Sequence, residues 1–95
     1  MKLPRTFEVT ATRAELLRIL PAAVDHDAFV DQGDGFVHQR DGRSWRIGLT
    51  PLPELQIGSM HLERHRVDIS FAGYSEAETD AFMARLELHF RRGGG

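Results

Sequence analysis

The segment GFVHQRDGRSWRIGLT, residues 35–50, decides how this chain folds. Two strand-like runs flank Asp41-Gly42. Asp-Gly accepts the positive φ angles of a two-residue hairpin turn, whose twist suits the strands on either side. Folding the segment about that turn sets Phe36 opposite Ile47 and His38 opposite Trp45 on one face. Val37 opposite Arg46 and Gln39 opposite Ser44 fall on the other, and Leu49 extends the apolar face.

Upstream, RTFEVTA (5–11) alternates, with Phe7, Val9 and Ala11 on one side, the pattern of a half-buried strand. Thr12-Arg13-Ala14-Glu15 then has the spacing of a capping box. A helix is expected to start near Arg13 and to bury Leu16, Leu17 and Leu20. Pro21 has no N–H to donate, so this helix is expected to be short or kinked there. Residues 22–34, AAVDHDAFVDQGD, fit either a helical turn or a buried loop around Ala28, Phe29 and Val30.

Downstream, PLPEL (51–55) suits a connection or a sheet edge, because proline cannot donate into a ladder. Gln56 to Ala72 reads as strand, but its phase changes. Met60 and Leu62 are apolar at even positions, Val67, Ile69 and Phe71 at odd ones. The break falls within ERHR (63–66) and requires a bulge, a turn or a switch of the buried face. In one variant Gly58-Ser59 is a tight turn and a new strand starts at Met60. Ser75-Glu76-Ala77-Glu78 is a second capping box. It predicts a helix from Glu76 to about Arg92 whose core stripe is Phe82, Met83, Leu86 and Phe90. The expected object is an α+β domain spanning residues 1–95, in the order β-α-β-β-β-α. Its antiparallel sheet of four to five strands carries the helices on one face, and residues 93–95 form a flexible glycine tail.

Composition narrows the function classes. A hydrophobic content of 41% in 95 residues supports one folded domain. No cysteine is present, which removes disulfides, thiolate metal sites and thiol nucleophiles and suits a reducing cytoplasm. MKLPRTFEV lacks the apolar run of a signal sequence, and no stretch approaches a membrane span, so a cytoplasmic protein is expected. A net charge of −2 argues against a bulk polyanion binder. Asp25, Asp27, Asp31 and Asp34 crowd one segment.

HLERH (61–65) is the one candidate metal cluster. The helical zinc motif needs glutamate directly after the first histidine, where this chain has Leu62. On a strand, His61, Glu63 and His65 would point the same way and could supply ligands, provided the phase break does not separate them. The plainer alternative is a solvated strand with Glu63 paired to an arginine. Asp25-His26-Asp27 does not continue as a calcium loop, since Phe29 and Val30 stand at its next key positions. No serine sits in a nucleophile elbow, and DQGDGF (31–36) is not a phosphate cradle. Arg46, Arg64 and Arg66 share no face with exposed aromatics, so nucleic acid is not expected. No motif requires a cofactor.

Two family resemblances bear on function. The tail RRGGG (91–95) resembles the Gly-Gly end of ubiquitin-like modifiers and sulfur carriers, which implies a carboxylate activated by adenylation. Those proteins have a β-grasp fold whose tail leaves a strand, whereas this tail follows a helix, with Gly93 suited to close it in the left-handed conformation. FEVTATRAELLRIL (7–20) is similar to the opening strand and helix of START and Bet v 1 helix-grip domains. That resemblance implies a cavity between the sheet and the last helix.

The resulting expectation is a cytoplasmic module that acts by binding, as a homodimer or with a protein partner, rather than as an enzyme. Its contact candidates are Met60 and Leu62, on the face away from Val67, and a second helical strip of Ala77, Ala81, Ala84 and Leu88. The alternative is a small-ligand or enzymatic domain whose pocket is lined by His38, Trp45, His65 and His89.

Overall fold

The computed structural model describes residues 5–93, with side chains as far as Phe90. Its elements are β1 (Thr6–Thr10), α1 (Arg13–Ala23), β2 (Val30–Asp31), β3 (Gly35–Arg40), β4 (Arg43–Ile57), β5 (Met60–Ala72) and α2 (Glu76–Gly93). The strands form a single antiparallel sheet in the order β1-β5-β4-β3-β2. This is the α+β architecture read from the sequence, with β2 as a fifth, two-residue edge strand.

The β3–β4 hairpin has the expected register, Phe36 against Ile47 and His38 against Trp45. Asp41 and Gly42 adopt φ of 52° and 76°, as a two-residue turn of this kind requires. The end of β5 folds onto this turn. Gly73 has φ 80°, and a Cβ there would collide with the carbonyl oxygen of Gly42, so glycine is needed on both counts.

Both capping boxes form. The Glu15 N–H donates to Thr12 Oγ1 (3.1 Å) and the Thr12 N–H to Glu15 Oε1 (3.0 Å). Ser75 and Glu78 make the same exchange at 3.1 and 3.0 Å. The backbone bond received from the cap residue holds each glutamate carboxyl below its ordinary range. α1 does not stop at Pro21. It continues to Ala23 with Pro21 exposed in its last turn, where the missing N–H vacates one carbonyl and no more. Residues 24–29 then turn back, Asp25 and His26 at positive φ, and bring Phe29 against Phe36 and Trp45.

β4 and β5 are far longer than their neighbours. PLPEL is not a connection but part of β4, at a sheet edge. β3 pairs with β4 only as far as Gly48, so Pro51 and Pro53 cost no ladder bond on that side. β1 likewise pairs with β5 only from Arg64 onward. The rest of the hairpin, closed by Gly58 (φ 59°) and Ser59, projects as a two-stranded arm. It helps give the chain a longest dimension of 48 Å against 30 and 19 Å.

The phase change also has its explanation here. β5 is one uninterrupted strand whose odd residues His65, Val67 and Ile69 are buried beneath the helices. Met60 and Leu62 lie on the opposite face by simple alternation. The irregularity sits in the partner strand, where Pro53 and Glu54 together stand opposite Glu63 and add one residue between Leu52 and Leu55, and not in ERHR.

The core joins the helix-side face of the sheet to both helices through Leu16, Leu20, Phe36, Trp45, Val67 and Leu86, all at most 2% exposed. On α2 the stripe of Met83, Leu86, Phe82 and Phe90 faces this core, with Thr79 buried in the same row. Gly93 is still helical and does not close α2, while Gly94 and Gly95 lie outside the described residues.

Removing either cap, Thr12→Ala or Ser75→Ala, is expected to cost about 1 kcal/mol in urea unfolding. Glu15 and Glu78 have lowered folded-state pKa values, so their contribution is complete above 4.5 and is lost as pH falls through those values. The Glu15→Gln, Glu78→Gln protein keeps the acceptors without the titration, and its stability should therefore fall less steeply below pH 4.5.

Candidate functional site

The acidic segment that precedes β3 does not gather around a single ion. Asp31 pairs with Arg13 and also accepts the Gly33 N–H (2.8 Å), which together hold its carboxyl below the usual range. Asp34 meets Arg46 at 3.2 Å, and Asp25 meets Arg85 at 3.7 Å. Asp27 turns inward instead. Its Oδ2 accepts the indole N–H of Trp45 (3.1 Å) and lies 3.8 Å from Nε2 of His38.

Around Asp27 is a hollow of about 420 Å³ lined by Asp27, His38, Arg40, Asp41, Arg43 and Tyr74. A second hollow of about 270 Å³ shares Asp27 and Tyr74 and is bounded by Asp25, Glu78, Phe82 and Arg85. β3 supplies His38, which is 6% exposed and stacks on Trp45 with ring centroids 5.5 Å apart. Nδ1 of His38 is 2.6 Å from the Ala28 carbonyl oxygen. A carbonyl only accepts, so Nδ1 is the donor, and in the singly protonated tautomer this leaves the lone pair on Nε2, the nitrogen on the Asp27 side. Arg43 pairs with Glu78 and lies 5.6 Å over the Tyr74 ring. Burial first, and the Asp27 charge second, push the Tyr74 phenol pKa up.

Of the four expected pocket residues the structure joins two. His38 lines the larger hollow, and Trp45 lies stacked against it. His65 is buried elsewhere, its Nδ1 3.0 Å from the Ala11 carbonyl oxygen, and His89 is half-buried on α2. Where the helix-grip resemblance would place a cavity, between sheet and α2, the rings of Trp45, Phe71 and Phe82 pack against one another. Arg40, Arg43 and Tyr74 belong to no motif in the sequence, and Asp27 stands out there only within the acidic segment and the Asp25-His26-Asp27 stretch.

His61, Glu63 and His65 do share the helix-side face of β5, by alternation. His65 is committed to Ala11, while His61 and Glu63 are exposed beside a hollow of about 190 Å³ with Glu15 and Glu54. Among the described residues no three His, Asp or Glu side chains converge as a metal site. Arg64 pairs with Glu8 at 2.5 Å, not with Glu63, and Arg46 is taken by Asp34. Phe36 and Trp45 are buried on the helix side, so the basic face of the sheet has no stacking ring from them.

The arm is the second candidate surface. Leu55 pairs with Leu62 and Ile57 with Met60, which sets all four on the face away from the helices. Ile57 and Met60 are 56% and 57% exposed, Leu55 is 40% exposed, and Leu62 is half-buried. Ala77, Ala81, Ala84 and Leu88 are exposed on α2, hence on the other side of the molecule. Among the described residues no helix is long and apolar enough to cross a membrane.

Comparison with protein-family models, with curated proteins and with solved structures gives no match.

Asp27→Ala leaves the buried Trp45 N–H without an acceptor and is expected to cost about 1–3 kcal/mol in urea unfolding. Asp27→Asn keeps an acceptor oxygen and should cost much less. Equal losses in the two variants would show that the indole bond is not what Asp27 contributes.

Proposed function

We propose that the protein is a small cytoplasmic binding module that works as a homodimer joined through the β4–β5 arm. The observation that carries this reading is the row Leu55, Ile57, Met60 and Leu62, exposed or half-buried on one face of a ribbon that neither β1 nor β3 extends. A two-stranded ribbon alone in water is marginally stable, and becomes secure when a further strand or an apolar surface backs it. A second copy supplies the apolar surface, because two arms related by a two-fold axis bring identical apolar faces together. Each such side chain contributes about 1.5–3 kcal/mol when fully buried.

The strip on α2 is the weaker contact, because three of its four members are alanine. It lies across the molecule from the arm, so one two-fold contact does not use both. Sedimentation velocity at micromolar concentration should give twice the chain mass. The Ile57→Glu, Met60→Glu protein should sediment as a single chain with unchanged helical circular dichroism, and Ala81→Glu, Leu88→Glu should remain paired. A single-chain parent protein ends the reading.

A further inference from the structure

The hollow beside the β3–β4 turn holds an arrangement that the arm does not explain. Its charges are nearly all satisfied in pairs: Arg43 with Glu78, Arg40 with Asp41 at 3.6 Å, and Arg85 with Asp25 at 3.7 Å in the adjoining hollow. Asp27 meets no arginine among the described residues; its polar neighbours are the Trp45 N–H at 3.1 Å and His38 Nε2 at 3.8 Å. With Nδ1 of His38 donating to Ala28, the singly protonated tautomer has its acceptor, Nε2, on the side of the Asp27 carboxylate. The two acceptor atoms stand 3.8 Å apart, too far for a hydrogen bond between them. One nitrogen bearing several protons can sit within about 2.9 Å of both.

We propose that this hollow binds a protonated amine, its ammonium group seated between the carboxylate of Asp27 and Nε2 of His38. A primary ammonium has three N–H donors and a positive charge, which answers one carboxylate and one neutral imidazole. A metal ion would find two donors here rather than three or more, in line with the lack of any convergent metal cluster among the described residues. An anion would meet Asp27 on the floor and arginines already bound to acids. The hollow's volume of about 420 Å³ lies within the range of small-molecule sites. Asp27 and Tyr74 line both hollows, so an apolar chain on the amine would lie against the Tyr74 ring.

Trp45 is the single tryptophan, its indole N–H bound to Asp27 and its ring stacked on His38. It therefore reports directly on occupancy. The test follows the Trp45 indole N–H resonance and tryptophan fluorescence at neutral pH in the full chain. The probes are n-butylammonium, tetramethylammonium, acetate and inorganic phosphate as chloride or sodium salts at equal ionic strength. The expected result is a saturable shift with n-butylammonium in the millimolar range, weakened at least about tenfold in Asp27→Asn. Asp27→Asn keeps the acceptor for Trp45, and its unfolding midpoint is measured alongside to show that the fold is intact. His38→Phe, which keeps the stacked ring and removes the acceptor, should weaken binding in the same direction.

Tetramethylammonium, which has the charge and no N–H, should bind far more weakly. Equal binding of the two cations overturns the seat between two acceptors. Saturation by acetate or phosphate instead overturns it in favour of an anion on Arg40 and Arg43. No saturable shift with any probe, or undiminished amine binding in folded Asp27→Asn, overturns it outright.

Discussion

The indole of Trp45 is the contact on which the rest of the structure depends. It is 1% exposed and lies where three parts of the chain meet. Its own hairpin supplies His38 as a stacked neighbour, α2 supplies Phe82 at 5.6 Å, and the segment between α1 and β3 supplies Phe29 at 6.0 Å. The N–H of the ring is the polar corner of an otherwise apolar block, and burying it unpaired is costly. Asp27 answers that cost, which draws residues 24–29 inward and fixes where the neighbouring acids point. The hollow around Asp27 is thus a by-product of satisfying a core aromatic.

Features that depend on near neighbours in sequence could be read before any fold was known. The register of residues 35–50 follows from Asp41-Gly42 and the two-residue period, and both helix starts follow from a hydroxyl and a glutamate three residues apart. Tertiary effects were not legible. α1 passes through Pro21 because the proline comes in the last turn, where little ladder remains to lose. Residues 22–34 have no period of their own, because their conformation answers Trp45, Arg13 and Arg46 from elsewhere in the chain. The members of the hollow come from a loop, two strands and a turn, so no spacing connects Asp27 with His38 or Tyr74. His65 and His89 looked equivalent to His38 in sequence, but only the fold could assign one to a backbone carbonyl and another to a helix flank.

The crowding of aspartates and the scatter of arginines prove to be two views of one arrangement. Asp25, Asp31 and Asp34 each meet an arginine from a different element, on α2, α1 and β4. These pairs are exposed or partly so, and each contributes little to stability. Together they pin a loop that has only a two-residue strand to hold it.

The extra residue in β4 has a consequence for how this chain can vary in length. Counting from Ile47 and Leu49, strict alternation would turn Leu55 and Ile57 toward the helix side, apart from Met60 and Leu62. The two-for-one count at Pro53 and Glu54 absorbs the surplus and gathers all four on one surface. A deletion of either residue would merely straighten the ribbon, leaving every side chain beyond it on its present side. The same deletion among residues 45–49 would swing Trp45 or Ile47 out into water. A one-residue deletion is therefore tolerable at residues 53–54 and ruinous a few positions earlier, so the hairpin has one seam at which it can be shortened.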